Sequence, residues 1–486
     1  MAEEALWTPG RTLHTLAQQA PDEIAVHLLR RDGGHEKLTR RQLDDWSSAL
    51  AHVLAGRGVG PGDKVAIVLE NSLEHVVATL ASHKLGACPT PVNARMPATE
   101  RDGLIALAQP AVLIADAPEL EALRSKDIQA LADAPAEPPP DCVPQPAKAI
   151  ASGGSTGRPK LIVSPGAFAF PWQQHPLGAV LDFRPGELVY SPGPLFHNQA
   201  FFFSQIALFQ GGSIALNERF DASLALDFIE RERPAVLNLV PTMMQRMLRS
   251  DGFAQRDLSG IRRLWHLAAP CPEWAKLGWI EAIGAERVWE LWAATEITGI
   301  TTISGTDWLA HRGSVGRGHD TEILILDEQG QACSPGTVGE IYTRFADGSA
   351  QYAYLGAEPL PVVGDGYRSV GDMGSLDAEG YLYLADRRKD LIISGGANVY
   401  SAEVEAVLSA HPQVADVAVI GQPDEDLGRR VHAVVQPAGE APDEDALRAH
   451  CAKHLSRYKI PRSFEFVIAL PRNEAGKIRR SALLPD

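Results

Sequence analysis

Positive charge is the scarce commodity in this chain. Its 45 Lys and Arg face 61 Asp and Glu, for a net charge of −16. A duplex nucleic-acid binder needs a broad basic footprint, so that class is excluded, while a local basic pocket for a polyanion is not. Cysteine is sparse: Cys88, Cys142, Cys271, Cys333 and Cys451 make an odd set with no CxxC spacing. Neither a disulfide framework nor a zinc site is expected, and reduced cytosolic thiols fit the pattern. Long apolar runs are missing too. The most apolar stretch, Gln199 to Leu216, is broken by Gln, Ser and Gly and is too polar to span a bilayer. The opening residues Met1-Ala2-Glu3-Glu4-Ala5 have no apolar signal core. A cytoplasmic protein with no membrane span is expected.

What is present is a large apolar interior. The 486 residues are 45% hydrophobic and 22% charged, ordinary for a globular protein of two to four structural units. Thr39-Arg40-Arg41-Gln42 fits a capping box, and Leu43, Trp46, Leu50, Val53 and Leu54 follow at helical spacing. Val65 to Leu69 reads as a buried strand. An amphipathic helix through Leu73, Val76, Val77 and Leu80 leads to a second strand near Cys88. That order is βαβ and predicts a parallel sheet packed by helices. Residues 134–146, with Pro138-Pro139-Pro140, read as an exposed loop, and the strand Ala147 to Ala151 follows. Between 313 and 385, short strands such as Thr321 to Asp327 alternate with Gly/Asp turns, predicting a small β-rich subdomain. Beyond Asp386-Arg387-Arg388-Lys389-Asp390 a compact α+β pattern begins: helices over Ser401–Ser409 and Asp443–Leu455, strands over Val414–Ile420 and Val431–Gln436. The fold class is α/β: a large N-terminal domain of mixed and parallel sheets packed by helices, the β-rich subdomain, and a small α+β C-terminal domain.

The stretch Ser152-Gly153-Gly154-Ser155-Thr156-Gly157-Arg158-Pro159-Lys160 combines small residues, hydroxyls and positive charge. Glycines let backbone N–H groups approach an anion, and hydroxyls add donors. It is not a Walker A loop, which ends Gly-Lys-[Ser/Thr]; here Pro159 intervenes and Leu161 follows. Alone, such a stretch is equally a surface turn.

The loop resembles the Ser-Gly-Thr-Thr-Gly-x-Pro-Lys signature of the adenylate-forming superfamily, which includes acyl-CoA synthetases, peptide-synthetase adenylation domains and firefly-type luciferases. Four further stretches resemble that family's motifs in the same order: Trp292-Ala293-Ala294-Thr295-Glu296; Tyr367-Arg368-Ser369-Val370-Gly371-Asp372; Asp386 to Asp390 continuing through Ser394-Gly395-Gly396-Ala397-Asn398-Val399; and Pro471-Arg472-Asn473-Glu474-Ala475-Gly476-Lys477-Ile478. The resemblance covers nearly the whole chain.

It implies ATP, Mg²⁺ and coenzyme A as cofactors and cosubstrates. It implies an N-terminal ATP- and acyl-binding domain (1–386), a hinge (387–389) and a mobile C-terminal domain (390–486). Ser152, Gly153, Gly154, Ser155, Thr156, Gly157 and Lys160 would cradle the β- and γ-phosphates, and Thr295 the α-phosphate region. Glu296 would be the metal ligand, since a carboxylate is a hard oxygen donor. Trp292 would offer a flat face to adenine; a core aromatic is the alternative. The family usually has Tyr there and Gly at the position of Ala293, which narrows the acyl pocket. Asp372 would reach the ribose, and Arg387 the ribose or phosphate. Lys477 would stabilise the charge that builds as the carboxylate attacks the α-phosphate. His197, Phe201, Phe202, Ala268, Trp292 and Ala293 would line the acyl pocket, with hydrophobic core as the alternative for the Phe201–Phe203 run. Lys389 would be the hinge, and Gly395 and Gly396 would line the coenzyme A tunnel.

The implied activity is ATP-dependent conversion of a carboxylic acid to acyl-AMP and pyrophosphate, then transfer to a thiol. Coenzyme A is favoured over a carrier-protein phosphopantetheine. No acidic residue between Leu195 and Phe203 is placed to hold an α-amine, so a hydrophobic acid without one is expected. The loop's wording is also similar to ligases of bulky, steroid-like acids. A luciferase-like oxidation, an enzyme that stops at acyl-AMP, and a nucleotide-binding pseudoenzyme are the rival readings. The oligomeric state is open between monomer and homodimer.

Overall fold

The structure is a computed structural model and describes residues 5–152, 160–349, 352–387, 390–394, 397–424, 426–472 and 478–483. The capping box forms as read. Helix Arg40–Gly56 starts at Thr39, whose hydroxyl accepts from the Gln42 N–H while Gln42 bonds back. Strand Lys64–Val68, helix Leu73–Lys84 and strand Cys88–Pro91 make the predicted βαβ unit. The two strands pair in parallel, with Val112–Ala115 on the other side.

One expectation changes here. The second helix is not amphipathic in place: of its residues only Glu74 escapes full burial. Helices Pro9–Gln19 and Arg40–Gly56 cover one side and the small parallel sheet the other, so no face is left for water. Of its polar residues, Thr79, Ser82 and Lys84 find partners inside the protein. Thr79 and Ser82 hydroxyls donate to the carbonyls one turn back. Lys84 Nζ donates to Asp44 Oδ1 at 2.6 Å, to Ser48 Oγ at 2.6 Å and to the Asp44 carbonyl at 2.8 Å.

The largest sheet has 15 strands among the described residues. Its centre is parallel: Ile24–Leu29, Ser213–Asn217, Leu188–Tyr190, Val236–Leu239, Arg263–His266 and Val288–Trp292 lie side by side. After Val288–Trp292 the pairing turns antiparallel through Thr301–Ser304 and Ser314–Gly318. The β-rich subdomain follows from there. Thr321–Leu326 pairs with Gly339–Phe345, which pairs with Asp372–Leu376, which pairs with Leu382–Arg387. Its own small core is Val315, Ile325, Ile341 and Leu382. The subdomain is therefore hydrogen-bonded onto the main sheet rather than standing apart.

The apolar stretch at 199–216 becomes the buried helix Asn198–Phe209 and a central strand. No helix among the described residues is long and apolar enough to cross a membrane. All five cysteines are free. The C-terminal α+β unit forms as predicted. Val414–Asp424 and Gly428–Pro437 pair as a long antiparallel ribbon, and helices Ser401–Ser409 and Glu444–Ala452 pack on it around Val404, Leu408, Val419 and Leu447. Both strands run further than the sequence pattern indicated, because paired backbone continues past the apolar residues.

Removing one member of a buried charge pair strands the other. Asp44→Ala should cost about 3–5 kcal/mol, read as a fall in the urea midpoint, while Asp44→Ala combined with Lys84→Met should recover most of it.

Candidate active site

Strand Lys160–Ser164 is the organising piece. On one side it pairs antiparallel with Lys148–Ser152, and Ser152 stands opposite Lys160, so the two residues flanking 153–159 are cross-strand partners. On the other side it pairs with Ala353–Leu355, with Tyr354 opposite Ile162.

That second pairing carries Tyr354 to the site. Lys160 Nζ lies 4.4 Å from the centre of the Tyr354 ring, a cation–π contact. It also lies 3.5 Å from Glu296 Oε1. The Tyr354 hydroxyl donates to the same Oε1 at 2.5 Å. Burial, followed by the neighbouring Glu296 carboxylate, drives the Tyr354 phenol well above its ordinary value, so it stays a donor. Glu296 is only 8% exposed and needs these partners, since an unpaired buried carboxylate is costly. It follows the end of strand Val288–Trp292 in a tight turn, where the Ile297 N–H bonds the Ala294 carbonyl at 3.0 Å and Ile297 takes a left-handed φ of 47°. Residues 136 positions apart in the chain, Lys160 and Glu296, thus meet.

The donor set fits a magnesium ion bound with nucleotide. Both contacts to Glu296 use Oε1, which leaves Oε2 for a hard cation. Among the described residues there is no cluster of three metal-ligating side chains. Magnesium with one carboxylate, water and substrate phosphates is the usual arrangement.

The other expected residues fall as follows. Asp372 stands directly opposite Arg387 across an antiparallel pair, so the two are brought together. Thr295 is half-buried in the turn before Glu296. Trp292 is half-buried and packs on the Val315–Leu382 cluster, so one face serves the core, as the alternative reading had it. Ala293 packs against the main core. His197 sits at the N-cap of helix Asn198–Phe209, its ring 4.5 Å from that of Phe196. Phe201 is 1% exposed; Phe202 is half-buried beside Phe168 and His175. Ala268 has a left-handed φ of 77°, which costs an L-residue about 1–2 kcal/mol. Gly153 to Pro159, Lys389, Gly395, Gly396 and Lys477 lie outside the described residues, as do the side chains of Ser152 and Arg387.

Two residues of this region carry no motif signal, Tyr354 and Lys148. Tyr354 sits in a three-residue strand whose partner is nearly 200 residues upstream, and no local pattern encodes that pairing.

Two surface cavities among the described residues, of about 410 and 520 Å³, lie elsewhere, around Arg317 and Tyr381 and around Asp116 and Arg124.

The family model for AMP-binding enzymes matches residues 13–352, and that for the AMP-binding enzyme C-terminal domain matches 403–477. The chain belongs to the adenylate-forming superfamily. It is an AMP-forming ligase of the acyl-CoA synthetase branch. It is 30% identical over 475 residues to the long-chain-fatty-acid–CoA ligase FadD13 of Mycobacterium tuberculosis, covering 92% of each chain. It is 30% identical to the 2-succinylbenzoate–CoA ligase of Bacillus licheniformis, covering 96% of this chain and 98% of that one. The o-succinylbenzoate CoA synthetase of Bacillus subtilis, solved with its acyl-adenylate, superposes with a TM-score of 0.83 at 28% identity, over 99% and 98% of the two chains. The same enzyme solved with ATP and magnesium gives 0.82. The family architecture explains why the main sheet and the small C-terminal unit occur together.

Tyr354→Phe keeps the ring beneath Lys160 and removes the donor to Glu296. A hydrogen bond to a charged group contributes about 1.5–3 kcal/mol. The variant should lose that much in chemical denaturation, and the loss should shrink in a Glu296→Gln background.

Proposed function

We propose that this enzyme converts a hydrophobic carboxylic acid and MgATP to acyl-AMP and pyrophosphate, then transfers the acyl group to the thiol of coenzyme A. The observation that carries this reading is the meeting of Lys160, Glu296 and Tyr354, with Lys160 next in the chain to residues 153–159. It joins the residues assigned to phosphate and to metal in one place.

In the proposed first step Ser152, Gly153, Gly154, Ser155, Thr156, Gly157 and Lys160 hold the β- and γ-phosphates. Glu296 would hold a magnesium ion, which would neutralise phosphate charge there. Thr295 orients the α-phosphate, Trp292 and Ala293 border the adenine, and Asp372 and Arg387 hold the ribose from adjacent strands. His197, Phe201, Phe202, Ala268 and Ala293 surround the acyl chain and keep water off the anhydride. Lys477 bridges the attacking carboxylate and the α-phosphate, where negative charge grows. For the second step the domain 390–486 turns about the hinge 387–389, centred on Lys389. Lys477 withdraws, and Gly395 and Gly396 border the thiol channel.

Removing one preorganised charge-stabilising group costs about 10²–10³ in rate. Lys477→Ala should lose pyrophosphate release by that factor with every accepted acid; undiminished release would remove Lys477 from the chemistry. Product analysis with and without coenzyme A tests the acceptor. Acyl-CoA in the presence of coenzyme A is expected; acyl-AMP alone would point to a carrier-protein phosphopantetheine or a separate thiolation partner. A crosslink across the hinge should spare one half-reaction and abolish the other, and survival of both would exclude domain rotation.

A further inference from the structure

Lys148 is a lysine where a lysine is expensive. It opens the strand Lys148–Ser152 that runs into the phosphate loop, and it is 2% exposed. An ammonium has three N–H donors and carries a full charge. Here one hydrogen bond goes to the neutral Asn198 Oδ1. The Phe202 ring covers another side, with its centre 4.6 Å from Nζ. No carboxylate among the described residues lies within ion-pair distance of Lys148. The contrast with the other buried lysines is direct: Lys84 has Asp44 at 2.6 Å and Lys276 has Glu290 at 2.6 Å.

The surroundings cannot supply a counter-charge. From strand Cys88–Pro91 the titratable neighbour is Cys88, whose thiol burial pushes up to about 12, so it stays neutral. Helix Asn198–Phe209 presents Asn198 and Phe202. His175, packed on Phe202 with ring centres 5.5 Å apart, is held down at about 3 by burial and is also neutral. Burial, opposed only by Cys88, brings the Lys148 amine down to about 7.

Lys148 itself is enclosed, but its cover is partly open to solvent. Asn198 and Phe202, the two groups that touch Nζ, are half-buried, as is His197 beside them. They form the first turn and a half of the helix that the proposed function gives to the acyl pocket. Lys148 therefore lies one layer behind that wall, on the strand that leads to the reacting phosphate.

We propose that Lys148 is a specificity-determining residue of the acyl pocket, and that it receives a second carboxylate at the far end of a dicarboxylic acid substrate. A neutral oxygen would add little, because Asn198 already supplies one; what the amine lacks is negative charge. The half-buried Phe202 ring would pack against the carbon chain between the two carboxylates. The acid is then hydrophobic in its middle and charged at both ends. This rests on the adenylation reading above.

The test separates the two. Pyrophosphate release is measured for straight-chain α,ω-diacids of short, medium and long chain, each paired with the monoacid of the same length. Wild type should show a diacid-to-monoacid ratio of kcat/KM above one for at least one length, and Lys148→Met should lower that ratio at least tenfold. A wild-type preference for monoacids at every length, or a ratio unmoved in Lys148→Met, overturns the proposal. Lys148→Gln replaces the Met variant if that one does not fold. A second readout needs no turnover. At pH 8 an amine held near 7 is largely unprotonated, and a carboxylate beside it raises its affinity for a proton. Calorimetry of diacid binding in buffers of different ionisation enthalpy should then record proton uptake by the wild type, and its absence overturns the proposal. If no acid releases pyrophosphate, adenylation is the reading that fails, and proton uptake alone decides the role of Lys148.

Discussion

The double pairing of strand Lys160–Ser164 is the constraint on which the site depends. A strand has two edges, and both are used here: Lys148–Ser152 on one and Ala353–Leu355 on the other. The first pairing sets Ser152 opposite Lys160, the two residues that flank 153–159 in the chain. The second brings in Tyr354 from nearly 200 residues further along the chain. Ladder hydrogen bonds set register to one residue, and a slip by one would turn Tyr354 to the opposite face. The contact of Tyr354 with Glu296 is thus fixed by backbone pairing rather than by side-chain packing.

Much of the frame was legible in the sequence because its signals are local. Thr39 and Gln42 are three residues apart and need nothing else to form their box. The same holds for helix Ser401–Ser409 and for the hydrophobic runs that became parallel strands. The failures share a cause. The helix through Leu73 read as two-faced because its polar residues are Glu74, His75, Thr79, Ser82, His83 and Lys84. The sequence does not say that Asp44 and Ser48 wait on another helix to satisfy the lysine. Tyr354 gave no signal because its meaning comes from a strand nearly 200 residues away. Trp292 was read with two roles open, and packing on the Val315 cluster commits one of its faces.

The site's assigned residues divide along the same line. Lys160, Glu296, Asp372 and Arg387 were read from ordered motifs. The structure brings Lys160 to Glu296 and Asp372 to Arg387, by two different devices. The first is a side-chain contact across sheets, the second a ladder pair within one. The motifs name the candidate residues, and strand pairing sets how far apart they stand.

The burial of helix Leu73–Lys84 on every side has a consequence for motion. Its amides are covered by two helices and a sheet, so no local fraying uncovers them, and exchange with solvent requires the surrounding layers to part. The edge strand His35–Thr39, paired on one side only and largely exposed, opens at far lower cost. The large domain therefore carries its own internal scale of opening. One end reports the mobility of its rim and the other the moment at which the whole fold gives way.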